Sequence, residues 1–580
     1  MNGMRDHAIG ALVAVAYTAL LVVTAPELGP ARDEGFYSVI GDRYARWVVR
    51  VFDEGAAALD GRVVDRVWAD NSEHPPLPKL LFGLSASAVR ASGVPMSAGT
   101  AHRLPTMIGA GLLLWIVYVL GARIANRRTG IFAAGALAAI PHVFHHAHLA
   151  AMDVLVVLAC VATTYAYWRS LERARWAWVA GVVYGLALLT KHNAWFLPPV
   201  LLVHWATLRA APVDERLPAS RRIPWGIVAM LTLGPLMLIA LWPWLWRDTL
   251  HRWMEYVRFH VEHVHYPIEY MGTTWFEPPF PAHYALGSML TTVPSTLLVL
   301  AIVGIVHRRQ QLVPPWLARL LRRRRDGEGE VPERRRVITT RLVHGADPRH
   351  TDLLILLSLL WPIVLLSTTR APIFGGTKHF LAAYPFLALF AAVGFLRVAR
   401  AFRGLWSAWR GPGPERFPDV RRRLIETCVA LVLLAPAVAQ TAHAHPYALA
   451  AYVPLVGGAP GGADLGMNRQ YWGHTNADVL AVIRRELPRG GSVFPGDTAL
   501  AAWRAMMLDG HVPRGVLPTP DLASADLVLV HHEPHFLTVD AQAWVAHGSA
   551  VPVAVIDHDG VPVVSVYARP GGRARSAGRR

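Results

Sequence analysis

The stretch AIGALVAVAYTALLVVTAPELGPARDEGFY, Ala8 to Tyr37, decides what kind of protein this is. Ala8–Ala25 carries no charge and approaches the length of about 20 apolar residues that crosses a bilayer as a helix. Asp33 and Glu34 stand side by side soon after it. An ionised carboxylate at the bilayer centre costs roughly 3 kcal/mol or more, and far less at a helix mouth in a wet cavity. The pair therefore belongs at the lip of the first helix. Two readings of it stay open from spacing alone: a solvated loop pair, or a general base or metal ligand on the outer face.

The pattern of the first run recurs along the chain. Of the 580 residues, 53% are hydrophobic and only 17% charged, too few charges for a soluble chain of this length. Further apolar runs lie at Ala101–Ile124, Ile131–Phe144, Ala151–Tyr167, Trp178–Leu189, Ala194–Leu208, Ile223–Leu241, Leu286–Val306, Leu353–Ser367, His379–Val398 and Leu424–Gln440. The expectation is a polytopic α-helical membrane protein with about eleven transmembrane helices. The first run lacks a small-residue cleavage pattern and reads as a retained helix rather than a signal peptide. Cys160 and Cys428 both fall inside apolar runs, so neither a disulfide framework nor a thiolate metal site is legible.

A net charge of +17 raises the question of nucleic acid, and the placement of the arginines answers it. They gather in Asn126–Arg128, Arg169–Arg175, Arg308–Arg336 and Arg397–Arg410, each a connection between apolar runs. That is the positive-inside signature of cytoplasmic loops, with attraction to anionic membrane lipids. No nucleic-acid motif accompanies it. An odd number of spans then puts the N-terminus in the cytoplasm and the C-terminal part outside. The Ala-, Arg- and Pro-rich composition suits a multi-pass protein of a bacterial inner membrane.

The expected organisation is a membrane domain over residues 1–441, an extracytoplasmic α/β domain over 442–568 and a disordered basic tail over 569–580. Within the first, residues 26–97 and 242–287 form outer loops and 307–350 a basic cytoplasmic loop. In the first outer loop Tyr37, Ile40, Tyr44, Trp47, Val48 and Val51 recur at helical spacing, with Arg43, Arg46 and Arg50 on another face. This is the pattern of a helix lying in the membrane interface. In the C-terminal part, Thr475–Leu487 reads as an amphipathic helix, Ala525–His532 as a buried strand, and Asp559–Gly560 as a hairpin turn.

Several further stretches carry candidate chemistry. NSEHPPLPK, Asn71 to Lys79, uses prolines to hold Glu73, His74 and Lys79 in a rigid turn. Asp153 opens an apolar helix, as a cap or as a functional acid. Lys191, Arg370, Lys378 and His379 stand at outer helix ends, as headgroup-snorkelling cations or as ligands for a lipid phosphate. FHVEHVHYPIEYMG, Phe259 to Gly272, clusters His260 and His263 with Tyr270 and reads as a loop covering substrate rather than a zinc site.

RDEGFY, HPPLPK, Asp153 behind a histidine-rich run, Thr190–Lys191, GGTKHFLAAYPF and His445–Gly473 occur in one order. Together they resemble the polyprenyl-phosphate-sugar-dependent glycosyltransferases of the GT-C superfamily, which include the protein O-mannosyltransferases and the bacterial lipid A aminoarabinose transferases. The resemblance covers most of residues 1–473. It implies a GT-C-like fold, a catalytic acid at Asp33 supported by Glu34, and a second outer acid at Asp153. The aminoarabinose transferases carry an arginine three residues after the catalytic acid, where this chain has Phe36, and a lysine before the double proline, where it has His74. A phosphate grip here would then fall to Lys79, Lys191 or Lys378, with His74, Arg370 and His379 around it.

The implied activity moves a sugar from a polyprenyl-phosphate carrier to a hydroxyl of a lipid, glycan or protein acceptor. The displacement inverts the anomeric centre and uses no obligatory cofactor, with a divalent metal as a secondary alternative. The rival reading is a lipid or glycan transporter or flippase without transferase chemistry. Such a protein should show pseudo-symmetric halves and helices interrupted at mid-membrane, and the sequence displays neither.

Overall fold

The computed structural model describes residues 2–209, 223–313, 347, 349–410, 418–471, 473 and 477–578. Helices α1 (Asn2–Thr24), α2 (Arg32–Glu54), α3 (Gly61–Trp68) and α4 (Leu77–Ser92) come first. They are followed by α5 (Ala98–Ile124), α6 (Arg127–Ala138), α7 (Pro141–His148), α8 (Met152–Ser170) and α9 (Trp176–Leu188). Next are α10 (Leu197–Arg209), α11 (Trp225–Leu241), α12 (Thr249–Val261), α13 (Tyr284–Thr292) and α14 (Ser295–Leu312). The bundle closes with α15 (Thr351–Leu366), α16 (Tyr384–Arg410) and α17 (Pro418–Ala444).

The chain is a polytopic helical membrane protein, and each apolar run read from the sequence lies on one or two of these helices. Among the described residues, four helices are long and apolar enough to cross a membrane, or up to six when each bent pair counts as one. The bends are sharp: 109° between α7 and α8, and 119° between α13 and α14. Uninterrupted helices were the sequence expectation; the α7–α8 bend falls between two of the runs, whereas the α13–α14 bend breaks the run Leu286–Val306. The second bend falls at Pro294, whose ring and missing N–H interrupt a helix ladder. The basic loop anticipated at 307–350 lies for most of its length outside the described residues.

The two ends of the bundle differ in chemistry. Arg127 pairs with Asp6, and the buried Glu426 takes Arg128, Arg403 and Arg422, so the connections at Asn126–Arg128 and Arg397–Arg410 meet at one end. The opposite end carries α2, α3, α4 and α12. Helix α2 buries Tyr37, Ile40, Tyr44 and Trp47, and turns Arg46 and Arg50 to the outside. Tyr44 stacks on Trp68 at 3.9 Å, and Trp47 Nε1 donates to the Ala58 carbonyl at 3.0 Å. Helix α4 lies so close to α2 that a Cβ on Gly83 would sit 2.0 Å from the Gly41 carbonyl oxygen. Glycine at both positions is thus a packing requirement, and it seats the HPPLPK turn against α2.

A hairpin, β1 (Ile268–Tyr270) and β2 (Thr273–Trp275), projects from the segment after α12. Beyond α17 the chain forms α18 (Gly458–Asp464), α19 (Ala477–Glu486), β3 (Gly491–Phe494), α20 (Leu500–Leu508), β4 (Val516–Pro518), β5 (Leu527–His531), α21 (Leu537–His547), β6 (Ala554–His558) and β7 (Val561–Ala568). The five strands are ordered β4-β3-β5-β7-β6. The β3 pairings are parallel, and those of β7 are antiparallel. Asp559 and Gly560 both take positive φ, 52° and 77°, at the β6–β7 turn.

The tail departs from the sequence expectation of disorder. Arg569 N and Arg573 N donate to Asp526, Ser576 N donates to Glu486, and Ala574 is buried in the sheet's core. Small and polar residues there make backbone bonds that composition alone does not reveal. The sheet domain docks on the cavity end of the bundle. Asp509 accepts from the Ala98 and Gly99 amides at the start of α5, and a Cβ on Gly35 would strike the Ala502 amide nitrogen.

Candidate active site

A cavity of about 950 Å³ opens at that end. It is lined from the first turn of α2 (Arg32, Asp33), the turn before α4 (Glu73, His74), the start of α8 (Asp153) and the segment after α9 (Lys191, His192). The α12 region adds His260, His263 and Tyr266, and the segment before α16 adds Arg370, Lys378 and His379. Residues from six separated stretches of sequence thus converge on one space.

The two acids differ in setting. Asp33 is half-buried, with Oδ2 at 3.6 Å from Lys378 Nζ and Oδ1 at 3.7 Å from Arg32 Nε. Both contacts are longer than a hydrogen bond, so the carboxylate keeps room for a hydroxyl donor. Asp153 is buried, and its Oδ1 accepts from Lys191 Nζ at 2.5 Å. Its charge is committed to that lysine. Four basic side chains (Arg32, Lys191, Arg370, Lys378) face three acids (Asp33, Glu73, Asp153) across the cavity. Burial lowers the pKa of Lys378, with Asp33 and Asp153 opposing the shift.

Four of the lining histidines, His74, His192, His260 and His379, are disfavoured as cations. Burial holds His74, His192 and His379 well below the ordinary imidazole range, reinforced by neighbouring lysines and imidazoles. His260 is pushed down to about 4, chiefly by burial. It stacks on His192 at 3.8 Å, and its Nε2 donates to the Glu73 carbonyl at 2.9 Å. His263 stacks on Phe374 at 5.3 Å, and Arg32 lies over the Tyr266 ring.

Three sequence candidates lie elsewhere. Glu34 is 3% exposed and outside the cavity. Its oxygens accept from Arg103 Nε and Nη2 at 2.8 and 2.9 Å, and from the Ala31 and Ala150 amides, each at 2.7 Å. It is a positioning residue that ties α2's first turn to α5 and to the bend before α8, and so sets Asp33 opposite Asp153. Lys79 is fully buried, and its ammonium donates to Asn71 O, Asn71 Oδ1 and His74 O. All three donors hold the proline turn, which leaves none for a phosphate; burial brings its pKa down to about 7. Tyr270 is 1% exposed in β1 and packs edge-on to Tyr284, so it faces the core and not the cavity.

Several lining residues lacked a sequence signal. Arg32 and His192 adjoin singled-out residues and Tyr266 lies within the quoted Phe259–Gly272 loop, whereas Phe374 had no chemical signal of its own. Arg103 did carry a signal: a cation inside the apolar run Ala101–Ile124 demands a buried partner. A second space of about 450 Å³ lies between α4, α5, α8 and α9. It is walled almost wholly by carbon: Leu77, Pro78, Leu112, Trp115, Leu155 and Val183 are among its residues. Leu77, Leu155 and Thr190 on this groove stand within three residues of His74, Asp153 and Lys191 in the charged cavity.

Residues 73–244 match the family model of dolichyl-phosphate-mannose-protein mannosyltransferases. The match begins at Glu73 and takes in His74, Asp153 and Lys191. None of the curated proteins matches the chain. Similar solved structures include ArnT from Cupriavidus metallidurans bound to undecaprenyl phosphate, at 16% identity, with 96% of this chain and 97% of that chain covered and a TM-score of 0.44. The Archaeoglobus fulgidus oligosaccharyltransferase in its apo form is similar at 13% identity, covering 94% and 71%, with a TM-score of 0.46. AglB from the same organism, in complex with an inhibitory peptide and a dolichol-phosphate, aligns at 12% identity over 94% and 71%, with a TM-score of 0.47.

Proposed function

We propose that this chain is a membrane glycosyltransferase that moves a sugar from a polyprenyl-phosphate carrier to an acceptor hydroxyl on the extracytoplasmic face. The observation that carries the reading is one juxtaposition. An apolar groove suited to an isoprenoid chain lies beside a cavity holding an accessible carboxylate among several cations. The family match over 73–244 supports the same donor chemistry. The cavity lies at the end of the bundle away from the arginine-rich connections, which suits a site facing away from the cytoplasm.

In this reading Asp33 accepts the proton of the acceptor hydroxyl as its oxygen attacks the anomeric carbon. The bond from that carbon to the phosphate oxygen breaks, the electron pair leaves with the phosphate, and the configuration inverts. The leaving group is the conjugate base of an acidic phosphate and needs no proton. It needs countercharge, which Lys378, Arg370 and Lys191 supply. The Asp153 carboxylate aims the Lys191 ammonium through their hydrogen bond. His74, His192, His260 and His379, held neutral by burial, give walls that orient substrate without competing for the phosphate. No step calls for an obligatory cofactor, and the acceptor is a lipid, glycan or protein hydroxyl.

The test is transfer from radiolabelled polyprenyl-phosphate sugar by Asp33→Asn. Positioned base catalysis contributes about a hundred- to ten-thousand-fold, so the rate should fall by that factor. Folding should persist, because neither ion pair of Asp33 is a close contact and its carboxylate is only half-buried. Undiminished transfer by a membrane-inserted Asp33→Asn protein would refute the assignment. The bent pairs α7–α8 and α13–α14 keep a transporter in view. Label crossing between leaflets without reaching any acceptor would favour that reading.

A further inference from the structure

Away from the cavity, three elements meet where the β1–β2 hairpin touches the sheet domain. Glu269 comes from β1, Glu533 follows β5, and His535 lies in the short turn before α21. Each offers a ligand atom, and these atoms all lie within 4.8 Å of one another. His535 Nδ1 stands 3.0 Å from Glu269 Oε1. Glu269 is 4% exposed and Glu533 6%, so two carboxylates are buried together. Glu269 Oε2 accepts from Thr274 Oγ1 at 2.6 Å, and Glu533 Oε1 accepts from the Gln470 amide at 2.8 Å. Glu533 Oε2 is buried with no hydrogen-bond partner at all. A buried carboxylate oxygen left unsatisfied beside a second carboxylate is costly.

We infer that Glu269, Glu533 and His535 form a binding site for a divalent cation that clasps the β1–β2 hairpin to the C-terminal sheet domain. A doubly charged ion would neutralise the two carboxylates and satisfy the orphaned oxygen. One imidazole with two carboxylates is a donor set for zinc or a similar transition metal rather than for calcium or magnesium, which take oxygen ligands alone. Zinc–ligand bonds of about 2.0–2.2 Å put neighbouring tetrahedral ligands roughly 3.4 Å apart. The His535–Glu269 spacing is already near that, and a modest rotation of Glu533 completes the set. None of the three residues lines the catalytic cavity. The role is structural. The hairpin continues the segment that supplies His260, His263 and Tyr266, so the ion would fix the cover of the cavity to the sheet domain. The adjoining Gly272 N to Gly466 O bond marks the same seam.

The test uses full-length protein in detergent, stripped with EDTA and titrated with Zn²⁺ by calorimetry, with bound metal counted by mass spectrometry. The expected result is one tightly held Zn²⁺ per chain, not displaced by excess Ca²⁺, and lost in the isosteric Glu533→Gln. His443→Ala removes a separate cluster of His443, His558 and Asp559 and should leave that ion in place. No stoichiometric zinc in the unsubstituted protein, or zinc retained by Glu533→Gln and lost in His443→Ala, would overturn the assignment. Should Glu533→Gln fail to fold, limited proteolysis of the unsubstituted protein decides. Zn²⁺ should protect the segment around β1 and β2 and EDTA expose it, and identical digestion in both overturns the proposal. Sugar transfer enters none of these readouts, so their outcome is independent of the proposed reaction.

Discussion

Glu34→Gln separates positioning from catalysis at the lip of the first helix. Glutamine keeps one oxygen and replaces the other with an NH₂ donor. At whichever position the nitrogen settles, it faces a guanidinium nitrogen and an amide N–H, both of which are donors. Arg103, only 4% exposed, is left as an uncompensated buried cation. Breaking a buried ion pair from one side costs about 3–5 kcal/mol, a large share of the roughly 5–15 kcal/mol that holds a domain folded. Arg103→Met should cost more, since it also orphans the Ala25, Leu28 and Gly29 carbonyls that accept from the guanidinium. The double variant should be little worse than Arg103→Met alone, because the pair is lost only once. The assay is denaturant unfolding in micelles followed by tryptophan fluorescence, with transfer measured on the surviving fraction. Stability of Glu34→Gln within about 0.5 kcal/mol of the unsubstituted protein, the ordinary range for surface changes, would refute the reasoning. So would costs that simply add in the double variant.

Lys79→Met should lower the yield of folded protein by unlatching the Asn71–His74 turn, while the folded fraction keeps its donor affinity; a raised donor KM with normal folding would return Lys79 to the phosphate grip. Burial lowers the Lys378 pKa, so transfer should fail on the alkaline side below the pH where an ordinary lysine loses its proton. Lys378→Arg keeps its charge there, and the alkaline limb of its pH–rate profile should move upward. Acid should destabilise the protein through its histidines. The unfolded chain protonates His260 near its ordinary 6.5 and the folded chain only near 4, so the neutral form's stability is full above about pH 6.5 and lost as pH falls toward 4. His260→Asn should flatten part of that acid loss in an unfolding titration.

Much of the site was legible because membrane insertion makes charge conspicuous. Against long apolar runs, Asp33, Asp153, Lys191, Arg370 and Lys378 stood out as ionised groups that lipid does not tolerate, and the structure gathers all five around one cavity. The same reasoning misplaced Glu34 and Lys79. A charge at a helix lip looks alike in one dimension whether it faces substrate or anchors a turn, and only the position of Arg103 or of the Asn71 carbonyl distinguishes the two. Tyr270 shows the limit of proximity in sequence: β1 follows the cavity-lining His260, His263 and Tyr266 by a few residues, yet all three of its residues are buried away from the cavity.

Composition and hydrophobic period therefore determined the helical membrane class and the buried face of α2, because a helix must hide its apolar stripe whether from water or against its neighbours. Tertiary structure decided which carboxylate is accessible, which lysines are spent on the fold, where apolar helices break, and how the 569–578 segment folds back. Those depend on contacts between residues tens to hundreds of positions apart, such as Glu34 with Ala150 or Lys378 with Asp33. No local pattern encodes the distance at which such partners meet.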